Sequence, residues 1–108
     1  MSITVTVDGS GHVECDPDDY PVPKNSGTVN IFWRMATAGY KVSGISGLTS
    51  SDFFDSKPSG GTGWKIKDKN QISGPNIYNV EVKHTATGKV TEHDPIIRNG
   101  GQDEDIVS

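Results

Sequence analysis

Cysteine is almost absent from this chain of 108 residues, and its scarcity limits how the fold can be stabilised. The single cysteine, Cys15, cannot form a disulfide within the chain, so we expect no disulfide framework and a reducing, cytoplasmic compartment. No apolar run approaches the roughly 20 residues of a membrane-spanning helix. Met1 leads directly into an alternating pattern. The sequence therefore predicts neither a signal peptide nor a membrane partner.

Apolar residues and positive charge are also scarce. Apolar residues make up 31% of the chain, so the eight aromatic side chains are expected to fill much of the core. The net charge is −4, whereas nucleic-acid-binding domains usually have a basic balance, and we expect no nucleic-acid partner. The length fits one domain over residues 1–99. Residues 100–108, which include three acidic side chains, are predicted to be a flexible acidic tail.

Turn-forming residues and alternating segments are abundant. The chain has 13 glycines and six prolines, and Ile3, Val5 and Val7 alternate with polar residues as in a half-buried strand. Similar segments follow, separated by turns, except in the proline-rich connection 17–27 and the Ser/Gly-rich stretch 46–63. The sequence predicts an all-β fold, an antiparallel two-sheet immunoglobulin-like β-sandwich of about seven strands. Its predicted core comprises the apolar faces of the two clearest strands: Val29, Ile31, Trp33, Tyr78, Val80 and Val82.

Two segments echo one another, because residues 14–17 and 92–95 both read Glu-x-Asp-Pro. In a structural interpretation the aspartate accepts turn N–H groups and the proline ends strand pairing. In a functional interpretation Asp16, Asp18 and Asp94 form an oxygen-rich rim for a cation. The structural interpretation is favoured because no calcium-loop spacing is present, and cation or metal binding at this Asp-Pro rim is the alternative.

Residues that could support metal binding or catalysis lack the necessary spacing. Cys15 and the three histidines form neither a C-x-x-C nor an H-x(3–5)-H pattern, so we expect no metal site and no cofactor. No serine lies in G-x-S-x-G, and the glycine-rich stretch 58–65 is followed by a strand rather than a helix. We therefore predict no catalytic residues and no enzymatic activity.

Trp64 is the remaining candidate binding residue. It lies among four lysines, Lys57, Lys65, Lys67 and Lys69, and a basic aromatic patch would suit a carbohydrate, a nucleotide or single-stranded nucleic acid. The alternation at 64–67, however, directs Trp64 inward and its neighbouring lysines outward, which favours a core tryptophan beside solvated lysines.

Three segments carry a family resemblance. They are Glu-Cys-Asp-Pro at 14–17, Val-Asn-Ile-Phe-Trp-Arg-Met at 29–35 and the stretch 90–99, Val-Thr-Glu-His-Asp-Pro-Ile-Ile-Arg-Asn. In these the chain resembles the DP-EP family, small bacterial proteins of unassigned function. The resemblance implies a β-sandwich and a bacterial origin but no reaction. The sequence thus predicts a non-enzymatic binding or structural module, acting through loops or through self-association as a homo-oligomer, with an unidentified ligand.

Overall fold

A five-stranded sheet forms one side of the protein. The computed structural model describes residues 1–100. Within them the alternating Ile3, Val5 and Val7 lie on the first strand, which is second from one edge of this sheet, and their apolar side chains are buried. The strand order is β2 (Val13–Asp16), β1 (Ser2–Val7), β4 (Val29–Met35), β7 (Gly63–Asp68) and β6 (Phe53–Ser59).

Two three-stranded sheets contain the remaining strands. The first has the order β10 (Val90–His93), β9 (Asn79–His84) and β5 (Tyr40–Ser46). The second has the order β3 (Asp19–Val22), β11 (Ile96–Asn99) and β8 (Gly74–Ile77).

The two smaller sheets share one long hairpin. The pairs Val80–His93 and Ile77–Ile96 have the same register, three residues apart on each arm. Between them the Tyr78 amide donates a hydrogen bond to the carbonyl oxygen of Pro95 at 3.1 Å. The arms β8–β9 and β10–β11 therefore run alongside each other throughout, with β5 pairing at one end and β3 at the other.

The all-β prediction is confirmed, but the strand count and the all-antiparallel pairing are wrong. The described residues form eleven strands in three sheets rather than about seven in two, and β1 pairs with β4, and β3 with β11, in parallel. The unpredicted β3 contains Pro21, which an edge strand tolerates because only one side of it pairs. The unpredicted β6 replaces the irregular stretch expected around residue 55, and it too is an edge strand, with a register shift between Phe54 and Lys57.

The predicted core is largely confirmed. Ile31, Trp33, Tyr78, Val80 and Val82 are buried, and Val29, at the start of β4, is half-buried. The Trp33 indole Nε1 donates a hydrogen bond to the Tyr78 hydroxyl at 2.9 Å, with the rings edge to face. Because Trp33 belongs to the five-stranded sheet and Tyr78 to the long hairpin, this contact joins the two sides of the molecule.

Most of the predicted acidic tail, residues 101–108, lies outside the described residues. Its first residue, Gly100, is buried, and its amide donates a hydrogen bond to the Val22 carbonyl oxygen at 2.7 Å. Gly100 therefore belongs to the domain rather than to a tail.

Candidate functional site

The outer face of the five-stranded sheet is built by the register of β4, β7 and β6. Side chains of directly paired residues lie on the same face of a sheet. Phe32 pairs with Lys65, and Lys65 with Lys57; in the next row Lys67 pairs with Phe54. The residues between them, such as Ile31 and Ile66, are buried on the opposite face. Alternation therefore separates an apolar inner face from a polar outer one.

This outer surface concentrates cationic side chains next to phenylalanines, and we call it the basic face. Its cations make up half of the ten lysine and arginine residues of a chain whose net charge is −4. The members of the basic face are Phe32, Arg34, Phe54, Lys57, Lys65, Lys67 and Lys69.

Phe54 is the exposed aromatic of the basic face. Its side chain is 39% exposed, and the Nζ atoms of Lys67 and Lys69 lie 5.9 Å and 5.5 Å from its ring centroid. Such cation–π contacts hold the ammonium groups over the ring. Asp55 offsets part of the charge, since its carboxylate lies 3.5 Å from Lys57 Nζ and 3.7 Å from Lys67 Nζ.

A depression of 430 Å³ continues the basic face beyond Phe32. Its walls include Phe32, Arg34 and Ser59, and its floor is Gly63. A Cβ atom at residue 63 would lie 2.4 Å from the Trp33 carbonyl oxygen, so the close approach of the strands requires glycine there. The exposed Arg34 lies at the edge of the same depression. Among residues 1–100, the described ion pairs involve neither Arg34 nor Lys65.

Trp64 lies on the opposite side of the sheet from these lysines. It pairs with the buried Trp33, is half-buried itself, and donates a hydrogen bond from Nε1 to Ser56 Oγ at 2.8 Å. The grouping of lysines that the sequence suggests is therefore present, but its aromatic members are Phe32 and Phe54. Trp64 lines the first depression and also a second one, of 360 Å³, whose other walls come from β5, β6 and the long hairpin.

The residues of the Asp-Pro rim do not form a single site. The Asp18 carboxylate forms a hydrogen bond with the His93 imidazole, with 2.5 Å between Oδ1 and Nε2. Asp16 and Asp94 are exposed, and within the described part of the chain neither carboxylate accepts a hydrogen bond. The structure therefore gives no support to the expected turn-capping role. Over residues 1–100, no three His, Cys, Asp or Glu side chains are grouped so as to hold a metal ion.

Cys15 is a buried strand residue rather than a reactive group. It lies 7% exposed on β2, and burial raises the pKa of its thiol to about 12. A thiol at neutral pH with that pKa is almost entirely protonated and is a poor nucleophile.

Phe32, Arg34 and Phe54 are the members of the basic face that sequence reasoning missed. The outward alternation of Lys65 and Lys67 was a usable signal, and the same alternation places Phe32 and Arg34 outward on β4. The signal for Phe54 was hidden, because β6 has neither regular alternation nor an apolar run.

Two comparisons with known proteins give no match. Models of known protein families give no match to the chain, and neither do curated proteins. Within residues 1–100 no helix is long and apolar enough to cross a membrane.

Proposed function

We propose that the protein is a non-enzymatic binding module whose basic face takes up a short anionic ligand. The observation that carries this proposal is the clustering of five cations and two phenylalanines on one exposed sheet face of an acidic protein. Aromatic rings beside ammonium groups offer an apolar platform and charge complementarity together. The surface is a sheet face rather than the loops that the sequence suggested.

The charge of the whole molecule favours a short ligand over a long polynucleotide. Attraction is local to β4, β7 and β6, because the remaining surface carries the excess of acidic groups. On the same sheet face, Glu14 and Asp16 lie on the far edge strand, two strands away from Arg34. A polyanion extending across the whole sheet would meet these carboxylates, which supports a ligand short enough to remain on β4, β7 and β6.

The finer fold assignment also belongs to this proposal. The continuous register of the long hairpin supports one bent layer, made of both smaller sheets, packed against the five-stranded sheet. The arrangement would be an immunoglobulin-like two-layer sandwich in the broad sense. Membership of the DP-EP family rests on the three sequence segments, and so does a bacterial origin.

Charge reversal on the basic face tests the function. We expect Lys65→Glu/Lys69→Glu to weaken binding of an acidic oligopeptide or a sulfated oligosaccharide by at least about tenfold, because the site loses two cations and gains two anions. The matched control is Lys83→Glu/Lys89→Glu on the long hairpin, which changes the net charge by the same amount. Like the test variant, it replaces one half-buried lysine and one exposed lysine. Binding is measured by fluorescence anisotropy at two salt concentrations.

Each outcome of this experiment bears on the proposal. If both double variants lose affinity equally, the effect comes from net charge rather than from the basic face. If the wild-type protein binds neither probe, the basic face is not a binding site for such ligands. Sedimentation of the same samples reports self-association, the other mode of action that the sequence suggests. If the wild type and the control variant are dimers and Lys65→Glu/Lys69→Glu is a monomer, the basic face binds a second copy of the chain rather than an anionic ligand.

A further inference from the structure

A buried polar cluster lies where β7 and β11 end. Its members are Asp52, Asp68 and Asn99, whose exposed fractions are 1%, 0% and 0%. Asp52 precedes β6, Asp68 is the last residue of β7 and Asn99 is the last residue of β11. Two carboxylates and an amide are thus removed from water together, which is costly unless their charges are neutralised.

The hydrogen bonds of the cluster distribute unevenly between the two carboxylates. Asp52 Oδ2 accepts the backbone N–H groups of Gln71 at 3.1 Å and Ile72 at 2.9 Å. The Asn99 amide is 3.4 Å from the same oxygen. Three donors therefore converge on one oxygen of Asp52.

Asp68 has donors on only one of its two oxygens. Oδ1 accepts the Asn70 backbone N–H at 2.8 Å and the Asn99 Nδ2 amide at 3.0 Å. The other oxygen, Oδ2, is buried with no hydrogen-bond partner, and so is the amide oxygen Oδ1 of Asn99. The two unpartnered atoms belong to the same two groups that already share one hydrogen bond.

We propose that Asp68 and Asn99 form an acid–amide pair, in which Asp68 carries a proton on Oδ2 and donates it to Asn99 Oδ1. One proton placed there satisfies both unpartnered oxygens and removes one of two buried negative charges. A carboxylic acid facing a primary amide makes two parallel hydrogen bonds, and the bond from Asn99 Nδ2 to Asp68 Oδ1 is the first of them.

The surroundings of Asp68 favour the protonated form. Its neighbours across the sheet are Val29 on β4 and Phe53 on β6, both apolar. Burial raises the pKa of Asp68. The hydrogen bonds from Asn70 and Asn99 oppose this rise, and the charge of Asp52 adds to it, so that the pKa stays above its ordinary value. The next cation along the chain, Lys69, has its ammonium group over the Phe54 ring on the outer face. Within residues 1–100, no described ion pair involves Asp68.

A titration of the wild-type protein tests the proposal directly. Carboxyl-carbon NMR should show Asp68 titrating at clearly higher pH than the exposed Asp94. The resonance is assigned by its loss in Asp68→Asn, and Asp52→Asn should move the titration to lower pH by removing a neighbouring negative charge. Titration of Asp68 together with the exposed Asp94 would overturn the proposal.

The pH dependence of stability gives a second readout. A raised folded-state pKa stabilises the protein fully below the unfolded value of about 3.9, and this contribution is lost as the pH rises through the folded value. The substitution Asp68→Asn keeps both hydrogen bonds to Asn99 but has no titrating proton. The melting temperature of Asp68→Asn should therefore match that of the wild type near about pH 4 and exceed it increasingly towards pH 8. The control Asp94→Asn, at an exposed aspartate, should show no such trend.

A bound cation is the competing explanation, because the same two unpartnered oxygens could serve as ligands. Calcium normally takes about six to eight oxygen ligands. If millimolar calcium raises the melting temperature of the wild type but not of Asp68→Asn, the two oxygens bind a cation rather than share a proton. A fall in stability of Asp68→Asn at pH 8 would also overturn the protonated pair.

Discussion

At the scale of single residues, the contact between Trp33 and Tyr78 matters most for stability. Both side chains are almost completely buried, and burial raises the pKa of the Tyr78 hydroxyl, which keeps it neutral. The indole Nε1 depends on that hydroxyl, because nothing else in the described residues accepts its hydrogen. The pair therefore combines a large apolar contact with a polar requirement that a different aromatic residue would not meet.

We expect Tyr78→Phe to lower the free energy of unfolding by about 1–3 kcal/mol, because it leaves the buried Trp33 N–H without an acceptor. For a domain of this size, each kcal/mol corresponds to a fall of roughly 4–8 °C in melting temperature. The control is Tyr20→Phe, since the half-buried Tyr20 hydroxyl makes no hydrogen bond to the described residues. Equal effects of the two substitutions would show that the contact to Trp33 contributes no hydrogen-bond energy.

At the scale of strands and turns, three aspartates illustrate why a sequence motif alone does not identify a cap. Asp8 follows β1, and its Oδ1 accepts the backbone N–H groups of Ser10 at 2.8 Å and His12 at 2.9 Å. These bonds lower the pKa of Asp8. Asp16 is the last residue of β2 and Asp94 follows β10, each directly before a proline, yet both carboxylates are exposed and accept no hydrogen bond from the described residues.

Asp16→Ala and Asp94→Ala should each change the free energy of unfolding by less than about 0.5 kcal/mol, as is usual for exposed positions without specific contacts. Asp8→Ala should lower the melting temperature, because two backbone N–H groups lose their acceptor. The stabilisation by Asp8 is present above the unfolded pKa and declines as the pH falls through the lowered folded pKa. The melting temperatures of the wild type and Asp8→Ala should therefore differ at neutral pH and converge at acid pH. A clear stability gain in both Asp-Pro variants would point back to repulsion among rim carboxylates.

The elements that could be predicted from sequence are those whose alternation is intact. The first hairpin, β4, β7 and β9 each place β-branched or aromatic residues on one face, so burial specifies them locally. The edge strands β3 and β6 depend on a neighbour's backbone rather than on their own side chains. β3 pairs with the distant strand β11, and the position of Phe54 depends on the register shift between Phe54 and Lys57 in the β6–β7 hairpin; no local pattern encodes either.

At the scale of the whole molecule, charge is separated rather than evenly mixed. The sheet face carries cations at β4, β7 and β6 and carboxylates at β2, while the overall charge stays negative. Salt screens exposed charges over roughly 8–10 Å at physiological concentrations. Binding at the basic face should therefore weaken as salt is added, whereas the buried proton at Asp68 should be much less sensitive to it.

Because Cys15 is buried, the rate at which its thiol is labelled reports how often the structure opens around it. It is the only thiol in the chain, and its side chain is covered where β2 pairs with β1. A small aromatic disulfide reagent can reach it only after β2 detaches or the domain unfolds. We expect labelling at neutral pH to be slower by orders of magnitude than in urea. Tyr78→Phe should accelerate it in proportion to lost stability if whole-domain unfolding exposes the thiol, and leave it unchanged if β2 peels away alone.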